Sequence, residues 1–232
     1  MSMLSEALSN AAALIVSGDS GLWRIIFLSL RVSLSALMLA LLIGIPIAVA
    51  MTVYPFRLKK VCHIIVDTLM AFPPVVVGLL VYLLLSTAGP LGIWGLLYTP
   101  SAMIIAQTLL ITPIIIALSL RIVEQHWQRL KEQLWVLGFS PRQSLGVLLH
   151  ESRRGIITVA LAGFGRAIAE IGAVMIVGGN IEHHTRVMTT AIAMETRQGN
   201  LSMALALGII LITLALIINT STHLVQHRIG MQ

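Results

Sequence analysis

Arg166 and Glu170 are the residues placed most sharply for chemistry: opposite charges four positions apart in the otherwise small and apolar run from Gly163 to Val177. That spacing is about one helical turn, so both project from one face and can pair. Ions at membrane depth are costly and turn towards protein or water, not lipid. The pair is therefore expected to face a bundle interior, as a structural tie or as part of a polar pathway. Asp67 is read as an interfacial acid satisfied by Lys59, Lys60 or His63, its neighbours in sequence. His183 and His184 are adjacent, but two imidazoles without a third ligand make a poor metal site, and Glu182 does not complete one; no metal is expected. An intramembrane hydrolase needs a nucleophile with a base, or paired acids. Here the histidines fall in loops and at span ends, and Asp67 and Glu170 lie in different spans. No Walker-type glycine loop is present. The chain is expected to be no enzyme, with no catalytic residue and no cofactor of its own.

The elements that must position these residues are apolar. Of 232 residues, 57% are hydrophobic and 10% charged, and the mean hydropathy is +0.95. Ordinary soluble domains carry about 25% charged residues, so the bilayer is the expected solvent. The net charge of +6 does not signal nucleic acid, because aromatics are 5% and the basic residues sit at the ends of apolar runs. One cysteine, Cys62, allows no intrachain disulfide. The first twenty residues lack a basic flank before Ala11 to Val16, so they read as a short surface turn or an unstructured start, not as a cleaved signal.

A helix needs about 20 apolar residues to cross the hydrocarbon core. Five segments qualify: Ile25 to Val53, Ile64 to Ser86, Ser101 to Leu120, Ile156 to Val177 and Leu201 to Thr222. The expected class is all-α, a single polytopic membrane domain over residues 1–232. Arg57, Lys59, Lys60, Arg121, Arg129, Lys131, Arg142, Arg153, Arg154 and Arg228 fall on one side; Arg24, Arg186 and Arg197 fall on the other. Cytoplasmic loops carry the basic excess, which puts the N-terminus outside and the C-terminus in the cytoplasm. Trp94 and Tyr98 are expected at the outer headgroup level. Gly44, Pro46, Pro73, Pro74 and Pro113 interrupt three spans, and proline removes a backbone donor and kinks a helix.

The cytoplasmic stretch of about 124–150 reads as helix, turn, helix. Trp127, Leu130, Leu134 and Leu137 form one apolar face, and Gly138 suits a left-handed exit. Ser140, Pro141 and Gln143 form an N-cap, a first-turn proline and a capping-box partner, starting a second short helix that runs to about Leu149. The apolar face needs cover, from the chain's own spans or from a partner's groove.

Two stretches carry a family resemblance. Glu132-Gln133-Leu134-Trp135-Val136-Leu137-Gly138 resembles the glutamate-alanine-alanine loop of ABC importer permeases, with Gln133 and Leu134 in place of the alanines and His150-Glu151 where a downstream Leu-Pro is usual. Gly163-Phe-Gly-Arg-Ala-Ile-Ala-Glu-Ile-Gly-Ala173, with Gly178-Gly-Asn-Ile181 and Thr185-Arg186, is similar to the molybdate, sulfate and tungstate permeases. The form running on through Val187 to Ala193 looks closest to the tungstate branch. Phe72 to Leu79 extends the likeness, so it covers most of the chain from the second span onward.

The resemblance implies a type I ABC importer permease in the inner membrane, moving an oxyanion inward by alternating access. It implies a second copy of the chain, a dimer of ATP-binding subunits that bind ATP and Mg, and an extracytoplasmic oxyanion-binding protein. Glu132, Gln133, Leu134, Leu137, Gly138 and Ser140 would then form the ATPase-coupling segment. A tetrahedral dianion needs donors that bind weakly enough to permit exit. Arg166, Glu170, Asn180, Thr185 and Thr189 are the candidates, with Asn180 to Thr190 re-entering or lining an outer vestibule, or forming an ordinary external loop. Molybdate and sulfate remain alternative cargoes. A carrier or channel working without ATP is a further alternative, although it leaves the helix-turn-helix segment unexplained and no inverted repeat is evident.

Overall fold

The computed structural model describes residues 3–230. Among the described residues, nine α-helices run in the order α1 (Met3–Ser17), α2 (Ser20–Val53), α3 (Lys59–Met70), α4 (Pro74–Leu85), α5 (Pro100–Val136), α6 (Pro141–Ile168), α7 (Gly172–Gly178), α8 (Met188–Gln198) and α9 (Leu201–Gly230), with a single 3-10 turn at Gly92–Trp94 and no strand. Asp19 starts α2 by accepting from the Leu22 N–H at 2.8 Å. The helix then runs 34 residues through Gly44 and Pro46. With α5, 37 residues long and continuous through Pro113, it forms the most extensively packed helix pair.

Small residues let these helices approach, as membrane packing favours. A Cβ on Gly44 would lie 2.9 Å from Ile115 Cγ2, and one on Gly163 of α6 would lie 2.7 Å from Ile115 Cδ1. Ala36, Ala40, Ile111, Ile115, Val159 and Ala167 close the core where α2, α5 and α6 meet. Outward, Phe27, Leu42, Ile64, Leu79, Leu83, Ile212 and Leu216 are exposed. On helices of this length, that apolar surface is what the bilayer or another subunit covers.

Among the described residues, three helices are long and apolar enough to cross a membrane: α2, α5 and the 201–222 part of α9. The count reaches five only when each bent pair is one span. The second expected span, Ile64 to Ser86, is not one helix. It breaks at Ala71–Pro73, and α3 and α4 meet at 94°. Pro74 pushes Pro73 into an extended conformation, φ −63° and ψ 126°, as residues before proline prefer. Twelve residues of α4 reach only about 18 Å, short of a bilayer core of about 30 Å. The fourth expected span, Ile156 to Val177, also breaks, between α6 and α7 at 57°.

Two further expectations are corrected. The second helix of the 124–150 stretch does not stop near Leu149: α5 and α6 are unbroken rods that carry the third and fourth spans straight into the turn. The N-terminal segment is neither a turn nor unstructured. It folds as α1 and packs against α9, burying Ala7 and Ala11.

Candidate functional site

The α5–α6 turn is built by local rules. Gly138 adopts φ +75°, and the Phe139 N–H reaches back to the Leu134 carbonyl at 2.9 Å, a Schellman-type exit that a left-handed residue permits. Ser140 then caps α6. Its N–H donates to Gln143 Oε1 at 2.8 Å and its hydroxyl accepts from the Gln143 N–H at 3.4 Å, the capping box read in sequence. The apolar face divides in two. Leu134 is buried, and Trp127 and Leu130 pack with Val49, Val53, Val123 and Leu148. Trp135, Val136 and Leu137 stand 68%, 88% and 70% exposed at the tip. So much apolar surface at one turn marks an interaction site. Glu132 and Gln133 flank it, exposed to solvent.

At mid-bundle, Arg166 Nη1 donates to Glu170 Oε2 at 2.6 Å. The exposures are unequal: 5% for the Glu170 side chain and 40% for Arg166. The acid is held inside while the guanidinium reaches an open face. Glu170 also joins the broken ends of the span. Its Oε1 accepts from the Ala173 N–H in the first turn of α7 at 3.2 Å, and its carbonyl accepts from the Thr189 hydroxyl of α8 at 2.8 Å. Gln107 of α5, buried, donates through Nε2 to the Ala167 carbonyl at 3.1 Å. Its Oε1 has no partner among the described residues. The structure thus unites Arg166, Glu170 and Thr189, and adds Gln107, which the sequence reading passed over. A buried amide in an apolar span was the available signal.

Asn180 and Thr185 lie apart from that group, in the 179–187 loop. Thr185 is fully buried, donating to the Gly178 carbonyl and accepting from the Ile181 N–H at 2.9 Å. Asn180, at φ +50°, turns its Nδ2 towards Met194 Sδ at 3.1 Å. Tyr98 fastens the neighbouring loop by donating its N–H to the Val177 carbonyl at 2.9 Å. Asp67 is exposed; Lys59 and His63 turn instead to Glu124 of α5, at 3.0 and 3.5 Å. The expected pairing of Asp67 is therefore corrected: the basic side chains find a partner on another helix.

The end of the bundle that carries the 179–187 loop holds a cleft of about 370 Å³ lined by Arg24, Arg31, His183, His184, Arg186 and Glu195, among others. Arg24 lies 2.9 Å from His183 Nδ1. Arg186 is 10% exposed and reaches Glu182 at 3.5 Å and Glu195 at 3.9 Å, while its Nε has no partner among the described residues. Arg31 sits seven residues after Arg24, hence on the same helical face, inside a stretch read as purely apolar. The isolated arginine within a span was the sequence signal missed. No group of three or more potential metal-ligating side chains occurs among the described residues.

Long apolar helices, two broken spans, one of them tied across its break by Glu170, and an exposed apolar turn between two rods define a multi-pass membrane protein built to engage a partner. The chain matches the family described as binding-protein-dependent transport system inner membrane component over residues 23–231. It is 39% identical over 226 residues to the tungstate uptake system permease protein TupB of Peptoclostridium acidaminophilum, covering 97% of this chain and 99% of that one. It is 43% identical to a probable anion ABC transporter permease protein of Haloferax volcanii, covering 82% and 84%. The molybdenum transport system permease protein ModB of Azotobacter vinelandii is more distant, at 27% over 75% and 82%. The chain belongs to the binding-protein-dependent inner membrane component family: it is a non-catalytic, multi-pass permease subunit of an ABC importer, and ATP hydrolysis belongs to a partner.

Proposed function

We propose that this permease carries tungstate into the cytoplasm, as one of two copies paired around a pathway and driven by two ATP-binding subunits that hold ATP and Mg. The observation that carries the reading is the exposed Trp135–Val136–Leu137 turn at the junction of two unbroken rods. A rigid lever ending in an unpartnered apolar tip is what a motor subunit needs to grip. Glu132, Gln133, Gly138 and Ser140 shape that tip, and Leu134 anchors it to the bundle. Full-length likeness to a tungstate permease supports the cargo.

The ten basic residues at the tip end support a cytoplasmic tip, and with it an outside N-terminus and a cytoplasmic C-terminus. The opposite cleft then faces an extracytoplasmic binding protein and receives the anion through Arg24, Arg31 and Arg186. Arg166 and Glu170 line or brace the inner pathway. Thr189 positions Glu170, and Thr185 and Asn180 shape the outer loop. In proteoliposomes containing the ATPase and binding-protein partners, R24Q/R31Q is expected to raise the KM for tungstate uptake several-fold. Uptake unchanged by that pair would remove the outer cleft from the route.

A further inference from the structure

A second cleft, of about 660 Å³, opens between α5 and α6 towards the end that carries the turn. One wall is Ile122, His126 and Arg129 of α5; the other is Arg153, Arg154 and Thr158 of α6. The helices close together at its floor because α6 has Gly155 there: an added Cβ would lie 2.6 Å from Ile122 Cγ2. Three guanidinium groups thus line one groove, with Glu151 the sole acid among the described residues that line it. The Arg129 side chain makes no hydrogen bond or ion pair among the described residues, and Arg153 donates to His150 Nε2 at 3.1 Å. At the membrane end the Thr158 hydroxyl is buried and has no partner among the described residues. Cations that only solvate a loop stand apart in water; these converge on a groove whose inner end offers an idle hydroxyl.

The depth of the groove limits its occupant. Ile122 lies two residues past the apolar run ending at Leu120, and Thr158 two residues inside the one starting at Ile156, so this is headgroup level. Arg154 stands thirteen residues along α6 from Pro141, about 20 Å of helix axis from the turn. A subunit docked on the tip leaves this level to the bilayer surface. Basic pockets between spanning helices at such a surface suit anionic headgroups.

We propose that this cleft is a binding site for a phosphate-type tetrahedral anion, supplied by the headgroup of an anionic phospholipid or by free oxyanion in solution. The proposal rests on the membrane placement of the chain and not on its cargo. Arg129 on α5 and Arg153 on α6 grip the anion from opposite walls, and Thr158 donates from the floor. An anion held there ties the two rods together where they leave the bilayer.

The test needs no transport partners, so its failure is separable from failure of the importer reading. The full chain is placed in phosphatidylcholine nanodiscs, alone or doped with cardiolipin, then released and weighed intact by native mass spectrometry. Wild type, R129Q/R153Q and a charge-matched control outside the cleft, R57Q/K60Q, are compared; equal thermal stability in phosphatidylcholine checks the fold. The cleft pair is expected to retain cardiolipin roughly 30-fold less than wild type, about fivefold per cation near the surface, and the control to retain it normally. In a parallel arm, inorganic phosphate or tungstate is titrated in phosphatidylcholine alone. Stabilisation of wild type but not of R129Q/R153Q, without selective cardiolipin retention, assigns the site to free oxyanion. Equal behaviour of the cleft pair and the control in both arms overturns the proposal.

Discussion

Replacing Arg166 with alanine tests the mid-bundle pair most sharply, because its two partners are buried so unequally. Glu170 is 5% exposed and Arg166 40%. Without Arg166, the carboxylate keeps only the Ala173 N–H at 3.2 Å. Breaking a buried pair costs about 3–5 kcal/mol. A charge-assisted hydrogen bond alone is worth about 1.5–3 kcal/mol. The half-open face of Arg166 places R166A near the lower range, about 2–3 kcal/mol. E170Q should cost less, about 1 kcal/mol, since the amide oxygen still accepts from Ala173 and the arginine can rehydrate. For a chain of this length each kcal/mol moves the midpoint by about 2–4 °C, giving a fall of about 4–12 °C for R166A and about 2–4 °C for E170Q. R166A/E170Q should fall less than the sum of the singles, since coupled neighbours are not additive. The assay is thermal unfolding in detergent, with uptake measured on the same preparations. Additive losses, or R166A no worse than E170Q, would refute the reasoning. A stable R166A/E170Q variant that still fails to transport would assign the pair to the pathway.

Other perturbations follow from individual contacts. A Cβ on Gly78 would lie 2.7 Å from the Ala173 Cα, backbone that cannot yield, so G78V should separate α4 from α7 and cost about 1–3 kcal/mol, read as a lowered unfolding midpoint. Gly138 has open space but φ +75°; G138A should strain the turn by about 1–2 kcal/mol and weaken capture of the ATPase subunit, while G138N, which tolerates that conformation, restores it. Lys59 and Glu124 pair with about a third of each side chain exposed, 33% and 33%; E124Q should change stability by no more than about 1 kcal/mol, checked in the same unfolding assay.

What was legible in the sequence was mostly local. The Gly138 exit and the Ser140–Gln143 box depend on residues within one turn of each other, and they form as read. The Arg166–Glu170 contact is local too, four residues apart, with Arg166 in the last turn of α6 and Glu170 just past its end. The Pro73–Pro74 signal was visible as a disruption, yet its size was not: a kink and a 94° break look alike until α4 is seen packed on α7. The second break, at Ala169–Ile171, has no proline to announce it. It exists because Glu170 spends its carboxylate on α7 and its carbonyl on Thr189, a tertiary arrangement. Long-range pairing also decided Lys59, which bypasses Asp67 for Glu124. The outer cleft was hidden because its arginines come from α2 and from a loop more than 150 positions later, Arg24 meeting His183 across |i−j| = 159.

The central claim, that this chain couples an ATPase to oxyanion import through the α5–α6 turn, is tested most directly by ATP hydrolysis. The chain is reconstituted with candidate ATPase and binding-protein partners, and turnover is measured with and without tungstate, molybdate and sulfate. Stimulation by tungstate above sulfate, lost in G138A and regained in G138N, is the predicted result. Failure to assemble with any ATPase, together with passive oxyanion flux through the chain alone, would contradict it.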